Sequence, residues 1–371
     1  MEIVHIILGK ANPERMNGVN KVVYQLATEQ SNSGRKISVW GITDMPSHDY
    51  GNRVFETCLF QAKKNLFRID RKLSIEIVKA KNRNVIFHIH GGWIPTFYTI
   101  SNLLSKHKIP FVFTPHGAYN TIAMRKSKRA KKVYFQLFEK HLLKRASVIH
   151  CIGKSEVEGL KKIVRNPNIC LLPYGFEISG FPSKIKYGKE TEFIIGFIGR
   201  LDIYTKGLDL LLDAFKNFHI KEKNAKLWIV GDSDQRHDLE QMIASRQLQN
   251  EVILWGSKFG QEKEDLLKRM HVFAHPSRNE GLPSSVLEAA AFGIPCLITE
   301  ATNVGEFIRK HKCGITVENE NQDAIKDAMF LLDEKRKSGH LEILGQRAIE
   351  MVKQEFNWKH IVNEFDKLYE G

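Results

Sequence analysis

Glu280 and Glu288 lie in the segment His275-Pro-Ser-Arg-Asn-Glu-Gly-Leu-Pro-Ser-Ser-Val-Leu-Glu-Ala-Ala-Ala-Phe-Gly-Ile-Pro295. Its punctuation predicts a strand ending near Pro276, a loop carrying Glu280, and a helix starting at Ser284 or Ser285. Pro283 and the two hydroxyls suit a helix N-terminus, and Gly293 reads as the C-cap. The free N–H groups and partial positive charge of such an N-terminus favour a pyrophosphate. Glu288, one turn inside and on the face of Ser284, can reach the hydroxyls of a ribose, while Glu280 is free to contact a hexose. The plainer alternative is a structural strand–loop–helix with solvated glutamates.

A second constellation weighs against that alternative. Phe197-Ile198-Gly199-Arg200-Leu201 ends a buried strand, and Lys206-Gly207 precedes a helix. Cations just past the carboxyl end of a strand sit where a doubly wound sheet binds ligands, and two of them can neutralise a departing diphosphate. Asp232-Ser233-Asp234 resembles a metal-binding Asp-x-Asp, but Arg200 and Lys206 already supply the charge a metal would bring, so no metal and no cofactor is expected. His88 and His90 are read as alternating along a strand and facing opposite sides, a poor ligand geometry, which leaves them a core or cleft role.

The elements that must position these residues follow from short, β-branched apolar runs alternating with helical patterns. Strands are predicted near 2–8, 36–42, 85–90, 110–114, 147–151 and 168–172, then near 193–199, 226–231, 251–255, 271–275, 294–299 and 314–317. Two such series in 371 residues mean two doubly wound α/β domains, 1–178 and 191–355, joined by a Gly/Pro/Ser/Lys-rich linker at 179–190. The apolar stretch after Met1 is too short for a signal peptide, and no run reaches the ~20 residues that span a bilayer. Five scattered cysteines without a CxxC pair indicate a reducing compartment and no disulfide framework. A cytoplasmic protein is expected, or one peripheral on the cytoplasmic face of a membrane.

Charge separates the halves. Residues 1–190 hold 32 Lys and Arg against 13 Asp and Glu, whereas 191–371 hold 24 against 29. The first half therefore faces something anionic. Its densest stretch, Arg125–Arg145, has Glu139 as its only acid. Lys128, Lys132, Lys140 and Lys144 fall on one helical stripe, with Arg129 beside them, and Val133, Tyr134, Leu137 and His141 on another. Either this is an amphipathic helix with a solvated basic face, or it touches anionic headgroups, where each lysine contributes roughly 1 kcal/mol. No recognition module accompanies the charge, so nucleic acid is not expected.

Gly199-Arg200-Leu201 with Lys206-Gly207, Val230-Gly231-Asp232, and Glu280-Gly-Leu-Pro with Glu288 and Gly-Ile-Pro295 resemble glycosyltransferase family 4, retaining enzymes of GT-B fold. Asn17-Gly18-Val19 is similar to that family's N-terminal glycine loop, and His90-Gly91-Gly92-Trp93 and Pro115-His116-Gly117 to its interdomain loops. The resemblance implies two Rossmann-like domains facing across a cleft, with the terminal helix, 356–371, crossing back to the first. It implies that Arg200 and Lys206 bind the donor diphosphate and Glu288 the ribose. Leu282 and Ser284 would offer backbone contacts to phosphate, Gly18 and Gly231 would lie against the donor, and Glu280 would hold the transferred sugar with His116 beside the reacting centre. Departure and attack on one face of the sugar ring need no protein nucleophile. The sequence departs from the family pattern at Pro173-Tyr174-Gly175-Phe176, at Thr302-Asn303-Val304-Gly305 and in its single N-terminal glycine, which leaves the donor sugar open. The expected activity is transfer of a hexose, from a UDP-sugar, to a glycan or lipid-linked acceptor in surface polysaccharide or lipopolysaccharide assembly. A sugar-nucleotide epimerase and a catalytically silent basic subunit are the rivals.

Overall fold

The computed structural model describes residues 1–12, 18–120, 124, 128–165, 167–176 and 192–371. The chain divides into two units, Met1–Gly175 with Trp358–Gly371, and Phe176–Asn357. The expected linker at 179–190 lies outside the described residues.

The first unit is built on seven strands, β1 (Glu2–Leu8), β2 (Lys36–Thr43), β3 (Glu56–Gln61), β4 (Val85–His90), β5 (Phe111–Thr114), β6 (Val148–Cys151) and β7 (Ile169–Leu171). All pair in parallel in the order β3-β2-β1-β4-β5-β6-β7. The chain reverses its direction of addition between β1 and β4, the position at which such sheets bind ligands beyond their carboxyl ends. β3 escapes the sequence reading because Glu-Thr-Cys-Leu-Phe-Gln is an edge strand with one fully buried residue, Phe60. The terminal helix Trp358–Glu370 belongs to this unit and buries Ile361, Val362, Phe365 and Leu368.

The second unit has six parallel strands, β8 (Phe193–Ile198), β9 (Ala225–Val230), β10 (Val252–Gly256), β11 (Val272–His275), β12 (Cys296–Thr299) and β13 (Gly314–Val317), in the order β10-β9-β8-β11-β12-β13. Strands such as Phe193–Ile198 are buried at every position because helices cover both faces. One apolar layer gathers Phe215, Phe218 and Leu332, the other Val286, Ala290 and Phe356. The direction of addition reverses between β8 and β11, which places the ends of Gly199-Arg200 and His275-Pro276 side by side.

The basic segment departs from expectation. It is not one α-helix but Lys128–Tyr134, a π-helical turn Phe135–Glu139, and Lys140–Arg145. A π turn carries an extra residue, so it shifts the helical phase and the single lysine stripe does not persist across it. Val133 and Leu137, expected on the packed face, are 61% and 56% exposed, and the buried residues are Phe135, Glu139, Leu142 and Leu143. Lys132 and Lys144 are exposed and Lys140 is half-buried; the side chains of Lys128 and Arg129 lie outside the described residues.

Candidate active site

At the switch point of the second sheet, Glu280 is the centre of a polar cluster. Its Oε1 accepts from Nε2 of His275 at 2.9 Å, from Oγ of Ser277 at 3.0 Å and from Nζ of Lys206. Burial pushes the Glu280 carboxyl up, but the His275 hydrogen bond and the adjacent Lys206 charge outweigh it and hold the group down at about 2. It is therefore ionised at neutral pH and can only accept hydrogen bonds. Lys206 is delivered by a short turn, Ile203–Lys206, whose N-cap Asp202 accepts from the Thr205 amide, and the turn stops at Gly207. Gly207 has φ +66°, and a Cβ there would stand 2.1 Å from the Pro276 carbonyl oxygen, so the β11 loop packs directly on its backbone. The loop is held further by buried Arg278, which donates to both carboxylate oxygens of Asp209 at 2.8 Å, and by Asn303, whose Nδ2 donates to the carbonyls of Glu280 and Gly281.

The remaining sequence-predicted residues of this unit surround that cluster without joining it. Arg200 is 72% exposed and pairs with Asp202 at 3.2 Å. Gly231, at φ +145°, packs so closely on Gly199 that a Cβ would lie 1.9 Å from its carbonyl oxygen, which explains the glycine structurally. The helix Ser284–Ala291 starts at the expected residue, with Pro283 as N-cap and no side-chain cap; Phe292 closes it and Gly293 follows at φ +79°. Its first amides are thus left without a side-chain partner, as an anion site requires. Leu282 is partly buried and Ser284 exposed. Glu288 pairs with Lys263 at 2.6 Å.

In the first unit His116 follows β5 with φ +55°, stacked on Tyr174 at 5.7 Å between ring centroids. Two buried carboxylates lie against its loop, and of these Glu139 is the one hydrogen-bonded to it. Glu139, turned inward by the π turn, accepts from the Trp93 amide at 2.8 Å and from the Tyr119 hydroxyl. Glu156 faces the amides of Gly117, Ile152, Tyr119 and Ala118, and burial raises it to about 7 against their pull. A Cβ at Gly159 would stand 1.8 Å from the Tyr119 carbonyl oxygen, so the helix Lys154–Ile163 seats directly on the loop. Gly18 opens the helix Gly18–Asn32, and a Cβ there meets nothing within 4 Å among the described residues, so packing does not demand a glycine. The glycine that packing does demand is Gly9, at φ +110°, whose Cβ would meet Oδ1 of Asn20 at 2.5 Å.

The expectation that His88 and His90 face opposite sides is corrected. Residues two apart on a strand share a face, and their ring centroids are 4.0 Å apart. With His5 they form a group whose ligand atoms lie within 4.8 Å of one another, a geometry compatible with an ion. However, both ring nitrogens of each are already hydrogen-bonded within the protein. Sequence reasoning also passed over Glu139, Glu156 and the roles of His275 and Ser277. Signals existed for some: Glu139 is the one acid in a basic run, and His275 opens the motif that carries Glu280.

Comparison with known proteins bears on this geometry. The family described as glycosyl transferases group 1 matches residues 182–368, and the one described as glycosyltransferase family 4 matches 16–179. A phosphatidylinositol N-acetylglucosaminyltransferase gpi3 subunit from Schizosaccharomyces pombe is 26% identical over 57% of this chain and 45% of its own length. A UDP-Gal:α-D-GlcNAc-diphosphoundecaprenol α-1,3-galactosyltransferase from Escherichia coli is 24% identical over 81% of this chain and 78% of its own. Against several of the curated relatives the chain spans only about half their length. The crystal structure of Anabaena HepE in complex with UDP superposes with a TM-score of 0.73 over all of both chains at 15% identity, which shows the GT-B fold.

Proposed function

This chain belongs to the glycosyl transferases group 1 family and has the GT-B fold, and from that premise we propose that it moves a hexose from a UDP-sugar to a glycan or lipid-linked acceptor with retention of configuration. Assembly of a cell-surface polysaccharide or lipopolysaccharide is the proposed setting. The observation that carries the reading is the Lys206–Glu280–His275 cluster at the carboxyl ends of β8 and β11. Support for the donor and for a lipid-linked acceptor comes from the printed activity of the Escherichia coli relative and from the UDP bound to the Anabaena protein.

In this reading Lys206 and Arg200 offset the charge that develops on the departing diphosphate, so the reaction requires no metal. The uncapped amides of the Ser284 helix, with the backbone at Leu282, receive phosphate oxygens, and Gly231 and Gly18 lie against the donor. Glu288 accepts from the ribose hydroxyls. Glu280 is held ionised with three donors on Oε1, which makes it a poor nucleophile and no proton donor; it accepts from hydroxyls of the transferred sugar instead. His116 sits beside the reacting centre. Such a site works by positioning and by charge stabilisation, in keeping with departure and attack on one face of the ring.

Thermal stabilisation by nucleotides tests the donor. At a hundredfold excess over Kd a bound ligand adds about 2.7 kcal/mol, and UDP is expected to raise the melting temperature where GDP and ADP do not. No response to any of the three would overturn the proposal. Lys206→Ala is expected to lower kcat/KM by about 10²–10³-fold while leaving the fold intact; wild-type turnover would remove Lys206 from the site.

A contact with anionic lipid is a second reading, favoured by exposed Val133 and Leu137 beside exposed Lys132. No helix among the described residues is long and apolar enough to cross a membrane, but apolar side chains among lysines suit an interface. Binding to phosphatidylglycerol vesicles is expected to weaken with salt and with Leu137→Asp. Binding indifferent to lipid charge would count against it.

A further inference from the structure

Beneath His116 lies an unbroken line of hydrogen bonds. Nε2 of His116 meets Nδ1 of His90 at 3.0 Å, Nε2 of His90 meets Nδ1 of His5 at 2.9 Å, and Nε2 of His5 meets Oε1 of Gln30 at 2.8 Å. From there Nε2 of Gln30 meets the Tyr369 hydroxyl at 3.2 Å, which meets Nδ1 of His88 at 2.8 Å. Nε2 of His88 meets Oγ1 of Thr114 at 2.6 Å, Oγ1 meets Nδ1 of His150 at 2.7 Å, and Nε2 of His150 ends on the carbonyl oxygen of Leu172 at 2.7 Å. His5, His88, His90 and His150 are each no more than 1% exposed.

The far end sets the direction of every link. A carbonyl oxygen only accepts, so His150 carries its proton on Nε2, and with a neutral ring its Nδ1 must accept from the Thr114 hydroxyl. Having spent its proton there, Thr114 accepts from Nε2–H of His88, whose Nδ1 then accepts from the Tyr369 hydroxyl. Tyr369 must in turn accept from the amide N–H of Gln30, which turns the Gln30 carbonyl toward His5. His5 therefore donates from Nε2 and accepts at Nδ1, as does His90. The remaining donor is Nε2–H of His116. Burial holds all five imidazoles neutral, lowering His116 to about 3 and His5 and His150 to about 4.

We propose that this one-way relay, running from Leu172 through Tyr369 and Gln30, locks His116 as the Nε2–H tautomer and so presents Nδ1 as a fixed hydrogen-bond acceptor. An acceptor of that kind recognises a hydroxyl group, of the transferred sugar or of the acceptor. Its consequence for catalysis rests on the proposed role of His116; the tautomer itself does not. His5, Gln30, His88, His90, Thr114, His150 and Tyr369 are positioning residues. The same assignment occupies the nitrogens of the His5–His88–His90 group, so the relay and an ion at that group exclude each other.

The test is a long-range ¹H–¹⁵N correlation spectrum of the full chain labelled at histidine nitrogens, with His116→Ala assigning the signal. At pH 7 the His116 ring is expected to show a protonated Nε2 and an unprotonated, pyridine-type Nδ1. Tyr369→Phe and Thr114→Val, which cut the relay several links from His116, are expected to let Gln30 turn and to produce a second His116 tautomer, with turnover falling in proportion to its population. Tyr369, on the terminal helix, is the variant remote from His116 in the chain. A protonated Nδ1 or an imidazolium in the wild type overturns the proposal. So does a His116 spectrum untouched by both variants, or a joint displacement of the His5, His88 and His90 signals by Zn²⁺. If instead His116→Ala transfers sugar at the wild-type rate while the tautomer is as stated, the catalytic role falls and the relay stands.

Discussion

At the residue scale the decisive group is Glu280, whose character comes from its three donors and not from its own burial. Removing the charge while keeping the shape leaves Lys206 without its counter-ion, so Glu280→Gln is expected to cost stability of the second unit as well as activity. Breaking a half-buried pair by removing one partner costs up to about 3 kcal/mol, and kcat/KM is expected to fall by at least about 10²-fold. Denaturant titration and initial rates measure the two separately. A variant with unchanged rates would mean that the carboxylate serves only to hold Lys206. The pH dependence follows from the same contacts. Because the folded carboxyl is held at about 2, below its ordinary value, its contribution is complete above about 4.5 and is lost as pH falls toward 2.

At the scale of elements, side chains reach their places through backbone features of a few residues. Gly207 ends the Lys206 turn in a left-handed conformation with the Pro276 carbonyl against it. Gly207→Ala is expected to cost at least about 1–2 kcal/mol for the backbone alone and to displace Lys206, which would appear as lower kcat with the chain still folded. A variant of wild-type stability would show that the turn can relax. The π turn at Phe135–Glu139 does the corresponding work in the first unit, rotating Glu139 inward to hold the Trp93 and Tyr119 loops. Glu139→Ala is expected to loosen the loop that carries His116, raising amide exchange there more than in the strands.

On the scale of the whole molecule, the two units are expected to answer acid differently. Burial lowers His5 and His150 to about 4 and His88 and His90 further. In the unfolded chain these rings titrate near 6.5. Between those values the unfolded chain binds more protons on these rings, so their contribution to the first unit is complete above about pH 6.5 and is lost as pH falls toward 4. Glu156, raised to about 7, acts in the opposite sense and offsets part of it. His116, lowered to about 3, adds to the same trend as the other rings, so the net effect of acid on this unit is destabilising. Hydrogen exchange resolved to each unit, between pH 7.5 and 5, measures it. A flat profile in the first unit would mean that the histidines are not held neutral.

Much of this protein was legible in its sequence. Alternation of buried strands with helical runs determined two parallel α/β sheets, because a strand covered on both faces must be apolar throughout. The start of the helix at Ser284 was legible because Pro283 punctuates the chain locally, although neither serine hydroxyl caps the helix. Edge strand β3 was not, because a half-exposed strand carries little apolar signal, and neither was the π turn, whose extra residue leaves no mark on composition. Only the tertiary structure brought Lys206 and His275 onto one oxygen of Glu280, and only it lined His5, His88, His90, His116 and His150 into a directed relay. The sequence names the groups able to do the chemistry opened by Glu280 and Glu288. Which of them meet, and which nitrogen carries a proton, depends on distances across parallel strands that no local pattern encodes.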